Sequence, residues 1–524
     1  MLPSEQLHLG KTADDDPSLD SLEARSKLVE EQQKQIFSNF EDLDNLCFDF
    51  PSSPVENKLQ AGDFQFKDDE KGSPFASLGI VKDLVSRSRK LNDQKTLVSN
   101  CSDEDPEANE KKLSTTAKIR IAGQQFIDSY SSKADEISQP NHPYAVSFSR
   151  LSDDEAEDIE LLLTLLASAE KTDKKQFDHA RKLVQLCSNM CLNEETPVER
   201  LVYYFSEAIH IKINHEMGIV ARNELDSMQM FDLQEALMNV DTRIFAFHQK
   251  VPLSQVCQFS SIHTIINNLK KARKIHIIDL EIRTGMHYIV MMQAIENCRE
   301  WHIDHIKITA IGTRLADFAK SMNIPFSFKI VMVADVLDFN IDLIELCDGE
   351  KVAVYAAFFL SYHIVKPNRL EYLMRVIRKI NPCVMVIAEV EANHTSPVFV
   401  NRFIEALFFY GALFDSLSDC LVNDDLNRRA IESVFYGYCI RNIVAAEGDE
   451  RTIRHTGLDV WRKFFKRFGM LEIELSDTAL NEAKLLIDDF NCGNSCSLVV
   501  DGGCFLVGWK GVPVFSVSAW KFII

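Results

Sequence analysis

The spacing of apolar residues divides this chain into three textures. From Met1 to about Thr116, Asp, Glu, Lys, Ser and Asn dominate, no helical or alternating period is sustained, and Pro3, Pro17, Pro51, Pro54, Pro74 and Pro106 interrupt. Such a stretch buries too little apolar surface to offset the chain entropy lost on folding, so it reads as mostly disordered. One island, FSNFEDLDNLCFDF, sets acidic residues among Phe37, Phe40, Leu43, Leu46, Phe48 and Phe50. That pattern suits a segment that stays soluble alone and docks on a partner as a short helix, and it equally suits a tail that packs on its own domain.

The second texture is helical and starts near Leu151. Ser152 with Glu155 spells a capping box before IELLLTLLASAEK, and Thr196-Pro197 with Glu199 spells another, with proline at the first helical position, before VYYFSEAIHIKI. Residues 152–271 read as a run of helices. After Lys274 the rhythm changes again: KIHIIDL, HIKITAI, FSFKIVMV, KVAVYAAFFL and CVMVIAEVE alternate with amphipathic stretches at 286–299, 313–322, 367–380 and 398–419. Continuous apolar strands separated by helices imply a parallel sheet covered on both faces. The last stretch, SCSLVVDGGCFLVGWKGVPVFSVSAWKF, has strand-like runs around a Gly502–Gly503 bend, with Gly511 and Pro513 between strands and no room for crossover helices. These strands should pair antiparallel at one sheet edge. The fold class expected is α/β: a doubly wound, mostly parallel sheet with an antiparallel C-terminal edge hairpin. A mostly disordered acidic region over 1–150 precedes a folded domain over 151–524, helical and leucine-rich at 152–271 and α/β at 272–524.

Composition narrows the function. The chain has 524 residues, a formal net charge of -21 and a pI near 5.2, which argues against coating nucleic acid over a wide surface. Thirteen scattered cysteines and the polar start MLPSEQLHLGKTADDD point to reduced thiols in the cytosol or nucleus. The longest apolar runs fall far short of the ~20 residues that cross a bilayer.

A strand ending in IHIIDLEIRTG invites a nucleotide or S-adenosylmethionine site, because ligands bind at the carboxyl ends of such strands. Between Asp279 and Gly285, however, stand Leu280, Glu281, Ile282, Arg283 and Thr284, where close backbone approach to a cofactor wants glycine. Asp279 therefore reads as a cap on the turn or on the following helix, and no cofactor is expected. His302, Asp304 and His305 form a compact cluster without a fourth metal ligand; Cys492, Cys496 and Cys504, like Cys187 and Cys191, read as small buried hydrophobes. The basic runs Lys270–Lys274 and Arg87–Lys90 serve equally as an import signal or as solvated polarity. Leu162, Leu165 and Leu166 make an L-x-x-L-L arrangement that a partner groove could grip, a spacing that core leucines share.

Across about residues 150–524 the order of motifs resembles the GRAS family of plant regulators. The leucine-rich region is IELLLTLLASAEKTDKKQFDHARKLVQLC, and the V-H-I-I-D strand is matched by Ile275 with His276, Ile277, Ile278 and Asp279. Later signatures resemble Pro382, Phe409 and Tyr410, NIVAAEG from Asn442, Trp461 and Arg462, Trp509, and the closing Ser518, Ala519 and Trp520. Two departures mark a divergent branch. His287, Tyr288 and Ile289 stand where Gln-Trp-Pro is usual, and RTIRHT from Arg451 carries Ile453 and Thr456 in place of glutamates. The DELLA and T-V-H-Y-N-P motifs are absent from the sequence, so control by the gibberellin receptor through them is not expected.

The resemblance implies a nuclear transcription regulator with a helical cap on a methyltransferase-like core. It implies action through protein contacts with other transcription regulators, including GRAS homo- or heterodimers, with DNA reached through a partner and direct contact left open. It implies neither a membrane nor catalysis. The rival readings are a small-molecule methyltransferase using the pocket after Asp279 and a direct sequence-specific DNA binder.

Overall fold

The computed structural model describes residues 112–131, 151–191, 195–219, 249–282, 301–311, 326–331 and 335–523, with a few isolated positions between them. The acidic phenylalanine-rich island, the Arg87–Lys90 run and the stretch 313–322 lie outside the described residues. The helices are α1 (Thr115–Ser131), α2 (Asp153–Asp173), α3 (Phe177–Met190), α4 (Pro197–Glu216), α5 (Pro252–Leu269), α6 (Pro367–Ile380), α7 (Phe399–Cys420), α8 (Asp425–Ile431), α9 (Tyr438–Ala445), α10 (Leu458–Arg467) and α11 (Asp477–Asp488). The strands are β1 (Lys274–Asp279), β2 (His305–Ile311), β3 (Phe326–Val331), β4 (Lys351–Ala357), β5 (Val384–Val390), β6 (Met470–Ile473), β7 (Cys496–Asp501), β8 (Cys504–Trp509) and β9 (Val512–Phe522).

The five apolar runs become parallel strands, and the central β1, β4 and β5 are buried on both faces, where a strand needs no polar alternation. Their order is β3-β2-β1-β4-β5, after which the sheet continues as β9-β8-β7, with β6 also on β9. Pairing is parallel up to β5 and antiparallel from β5–β9 onward. The antiparallel end holds four strands, and β9 is interior: Phe515–Trp520 pair with β5 on one side, while Val512–Val517 pair with β8 and Ala519–Phe522 with β6 on the other. Pro513, expected between strands, lies inside β9 opposite Gly508. The register shift at Val507/Gly508 accommodates it, since proline has no N–H for the ladder. Gly502, at φ +60, supplies the left-handed bend between β7 and β8.

Side-chain alternation splits the sheet's two faces between two cores. Ile275, Ile277, Ala353, Tyr355, Val384, Val386, Val517 and Ala519 join the larger core with α5 and α7. Ile278, Val354, Ala356, Met385, Ile387, Trp520 and Phe522 meet α6 and α10. Each such fully buried aliphatic or aromatic side chain is worth about 1.5–3 kcal/mol of transfer free energy.

Both anticipated capping boxes form: Ser152 and Glu155 on α2, and Thr196 and Glu199 on α4 with Pro197 at its start. The cap differs from the 152–271 expectation at both ends. It gains α1 from the stretch assigned to disorder, because Thr115 donates through N (2.9 Å) and Oγ1 (2.6 Å) to the buried Asp415 of α7, and because Gly411 lets Ile119 press on α7. At the other end α5, among the described elements, packs chiefly on the sheet and against α11. A stop at residue 271 divides the sequence but not the packing.

Candidate functional site

At the carboxyl end of β1 the Asp279 carboxylate is consumed by its own neighbours. Oδ1 accepts from Glu281 N (3.1 Å); Oδ2 accepts from the Tyr288 hydroxyl (2.9 Å) and lies 3.2 Å from His287 Nε2. Burial, and then the adjacent Asp279 charge, push the Tyr288 phenol well above its ordinary pKa, so it stays protonated and donates. Leu280, Ile282 and Tyr288 are buried in and beside the bend, and His287 lies tilted against Tyr288 and Tyr355 at centroid distances of 4.2 and 5.2 Å. The described residues of the bend fit a sulfonium cofactor poorly: Leu280 and Ile282 stand buried where close backbone approach wants glycine, and the Asp279 carboxylate is taken up by its neighbours. Asp279 is a turn cap, as its position in the sequence suggests.

One residue pair back, His276 is fully buried on β1. Its Nδ1 lies 3.0 Å from Glu350 Oε2 and its Nε2 2.8 Å from Thr309 Oγ1, so a neutral ring donating to Glu350 accepts from Thr309. Burial outweighs the pull of Glu350 and pushes its pKa down to about 4.

Past β5, Lys212, His394 and Arg402, which the sequence did not single out, form a hub with residues of the NIVAAEG and RTIRHT segments. Arg402, fully buried in α7, donates through Nε to Ile443 O (2.7 Å), through NH1 to Ser396 O (2.9 Å) and through NH2 to Glu447 Oε1 (2.6 Å). Lys212 of α4 reaches the same Glu447 oxygen at 2.8 Å. Arg451 binds the carbonyls of His394 and Ser396, and His394 Nδ1 faces His455 Nδ1 at 3.0 Å. Burial and the neighbouring cations keep His394 well below its ordinary pKa. This hub ties the cap (α4), α7 and the RTIRHT segment together. Its signals in the sequence were the NIVAAEG and RTIRHT segments and a lone arginine among the phenylalanines of α7.

The remaining family-motif residues are internal. Ile277 and Ile278 face opposite cores. Pro382 is buried between α6 and β5. Phe409 and Tyr410 lie edge-on at 5.1 Å in α7, with Tyr410 against Phe205 of α4 and Tyr436. Trp461 stacks on Phe465, which tilts onto Trp520; Trp520 Nε1 donates to Ser518 Oγ (2.9 Å), and Ala519 faces the other core. Arg462 bridges Glu472 (2.7 Å) and Asp501 (3.1 Å), and Trp509 is wholly enclosed.

Leu162, Leu165 and Leu166 point inward, buried in the cap core, so a partner groove would reach them only by displacing the helices around them. Asp304 pairs with Arg273 (2.9 Å) and His305 with Ser327 (2.8 Å), while Lys270–Lys274 carries its exposed cations between α5 and β1. Among the described residues no group of three or more His, Cys, Asp or Glu is placed to hold a metal ion. No described helix is long and apolar enough to cross a membrane.

A parallel sheet with an antiparallel end, roofed by helices, defines the class: an α/β scaffold of the kind the motif series indicates. The GRAS domain family model matches residues 161–521, and the chain belongs to that family of plant transcriptional regulators. A relative from Vitis vinifera called DELLA protein GAI1 is 28% identical over 386 residues, covering 71% of this chain and 63% of its own length. One from Medicago truncatula called DELLA protein 2 is 28% identical over 380 residues, 69% of this chain and 67% of its own. The chain thus spans less than two thirds of the Vitis protein. Among solved structures, SCL7 of Oryza sativa superimposes with a TM-score of 0.58 at 24% identity, covering 69% of this chain and 99% of that one, which shows the shared fold.

Proposed function

We propose that this chain is a nuclear co-regulator of transcription that works by binding other proteins and not by catalysis. The observation that carries the reading is the bend after β1, where Asp279 serves Glu281, His287 and Tyr288 and where the buried Leu280 and Ile282 stand in place of the glycines a cofactor would want. The net charge of -21 agrees with recruitment to DNA by a partner, since a specific DNA surface wants clustered cations. Partners on this reading are other transcription regulators, including a second GRAS chain. The outer side of the cap supplies the surface: Leu186 on α3, Tyr203 on α4, and Met217 and Ile219 just beyond are exposed, while Leu162, Leu165 and Leu166 hold the helices that present them. Domain organisation follows the same logic, with an acidic amino-terminal region ahead of a folded part that includes α1.

Two measurements test this. In plant nuclei, the full chain tethered to a reporter promoter should change its output, and Leu186→Glu with Tyr203→Glu should reduce that change without loss of folding. An unchanged reporter in both would refute the regulator reading. Calorimetry should detect no S-adenosylmethionine binding at micromolar concentration; binding that Asp279→Ala abolishes would establish the methyltransferase alternative instead.

A further inference from the structure

Cys420 ends α7, and Cys492 lies in the turn between α11 and β7, 72 positions later in the sequence. Three contacts hold those two places together beside the thiols. Ser495 Oγ lies 3.4 Å from Asp419 Oδ2; Lys510 Nζ lies 2.8 Å from the same carboxylate; and Lys510 N donates to Ser495 O at 2.7 Å. The two thiols are hydrogen-bonded to one another, and both are half-buried, packed on the rim of the larger core. Cys496 lies behind them, buried.

Two thiols in contact, both reachable by a small molecule and belonging to segments far apart in sequence, are what a reversible cross-link needs. Among the other described thiols, Cys187, Cys191, Cys257 and Cys504 are buried, the half-buried Cys439 meets the Tyr410 hydroxyl, the half-buried Cys383 lies near Lys351, and the exposed Cys347 thiol meets the Glu345 carbonyl. We propose that Cys420 and Cys492 are a peroxide-oxidisable pair that closes into an internal disulfide and so locks the end of α7 to the turn before β7.

The contact also assigns the roles. Donation from Cys420 lowers the Cys492 pKa, whereas Cys420, as the donor, holds its proton more tightly. The Cys492 thiolate therefore attacks one oxygen of hydrogen peroxide. The O–O bond breaks, hydroxide leaves and takes up a proton as water, and Cys492 becomes the sulfenic acid. Cys420 sulfur then attacks the Cys492 sulfur, the S–O bond breaks, and the second water departs with the Cys420 proton. The two thiols lose two electrons and two protons to one peroxide, and a dithiol reductant restores them by thiol–disulfide exchange.

The test uses the full chain, reduced and then exposed to graded hydrogen peroxide, with free thiols blocked by N-ethylmaleimide before digestion and mass spectrometry. The expected product is a Cys420–Cys492 cross-linked peptide that appears at lower peroxide than any oxidation of Cys347 and that dithiothreitol removes. Cys420→Ser should leave Cys492 as a sulfenic acid trapped by dimedone. Cys492→Ser should give neither cross-link nor trapped sulfenic acid at Cys420, and circular dichroism of both variants should match the unsubstituted chain. A Cys492–Cys496 bridge, an intermolecular dimer, or Cys347 oxidised first would each overturn the proposal. If either variant is misfolded, the cross-link in the unsubstituted chain decides alone, and its absence at peroxide that oxidises Cys347 overturns the proposal.

Discussion

Replacing His276 by glutamine should make the domain less sensitive to acid. A glutamine can bridge Glu350 and Thr309 as the neutral imidazole does, donating to one and accepting from the other, but it does not titrate. The folded-state pKa of His276 is pushed down to about 4 from a reference of 6.5, so between these values the unfolded chain binds the proton more readily than the native one. Stability from this group is complete above pH 6.5 and is lost as pH falls toward 4. From neutrality to about pH 5 the loss is about 2 kcal/mol, since each pH step of one between the two pKa values removes roughly 1.4 kcal/mol. Urea unfolding of the original and substituted chains at about pH 7.5 and pH 5 measures it. The original should lose about 2 kcal/mol more than the variant over that interval. Equal losses would mean that the buried ring already accepts a proton in the folded state, and the reasoning would fail.

Other substitutions probe the hub, the α1 clasp and the second core. Arg402→Met removes the donors to Ile443 O and Ser396 O and should lower unfolding free energy by about 3–5 kcal/mol, measured by urea denaturation. Gly411→Leu puts side chain where an added Cβ would already stand 2.7 Å from Ile119, so α1 should detach and limited proteolysis should cut within 115–131 while the sheet stays protected. Trp520→Ala should cost about 3–5 kcal/mol through the cavity left in the second core beside Phe465, and near-ultraviolet dichroism should lose signal with it.

What the sequence made legible was local. Both capping boxes declare themselves within four residues, and the apolar runs that became β1 to β5 carry their burial in their composition. Asp279 could be read as a turn cap because the residues that exclude a ligand follow it directly. Distant partners left no trace. Thr115 meets Asp415 across 300 positions, so α1 looked like part of a polar tail. Pro513 looked like a strand breaker because nothing local announces the irregularity opposite it at Gly508. The leucines of L-x-x-L-L share their spacing with any core stripe, and only the surrounding helices show which way they face.

The position of β9 in the order of synthesis has a consequence for how this molecule is made. When β5 leaves the ribosome its partner residues Phe515–Trp520 do not yet exist, and β6 and β8 wait for the same strand. Until then three ladders offer bare amide and carbonyl rows to any neighbouring chain, so a chaperone-rich nascent stage, and intolerance of a premature stop codon ahead of Val512, follow from the weave of the sheet.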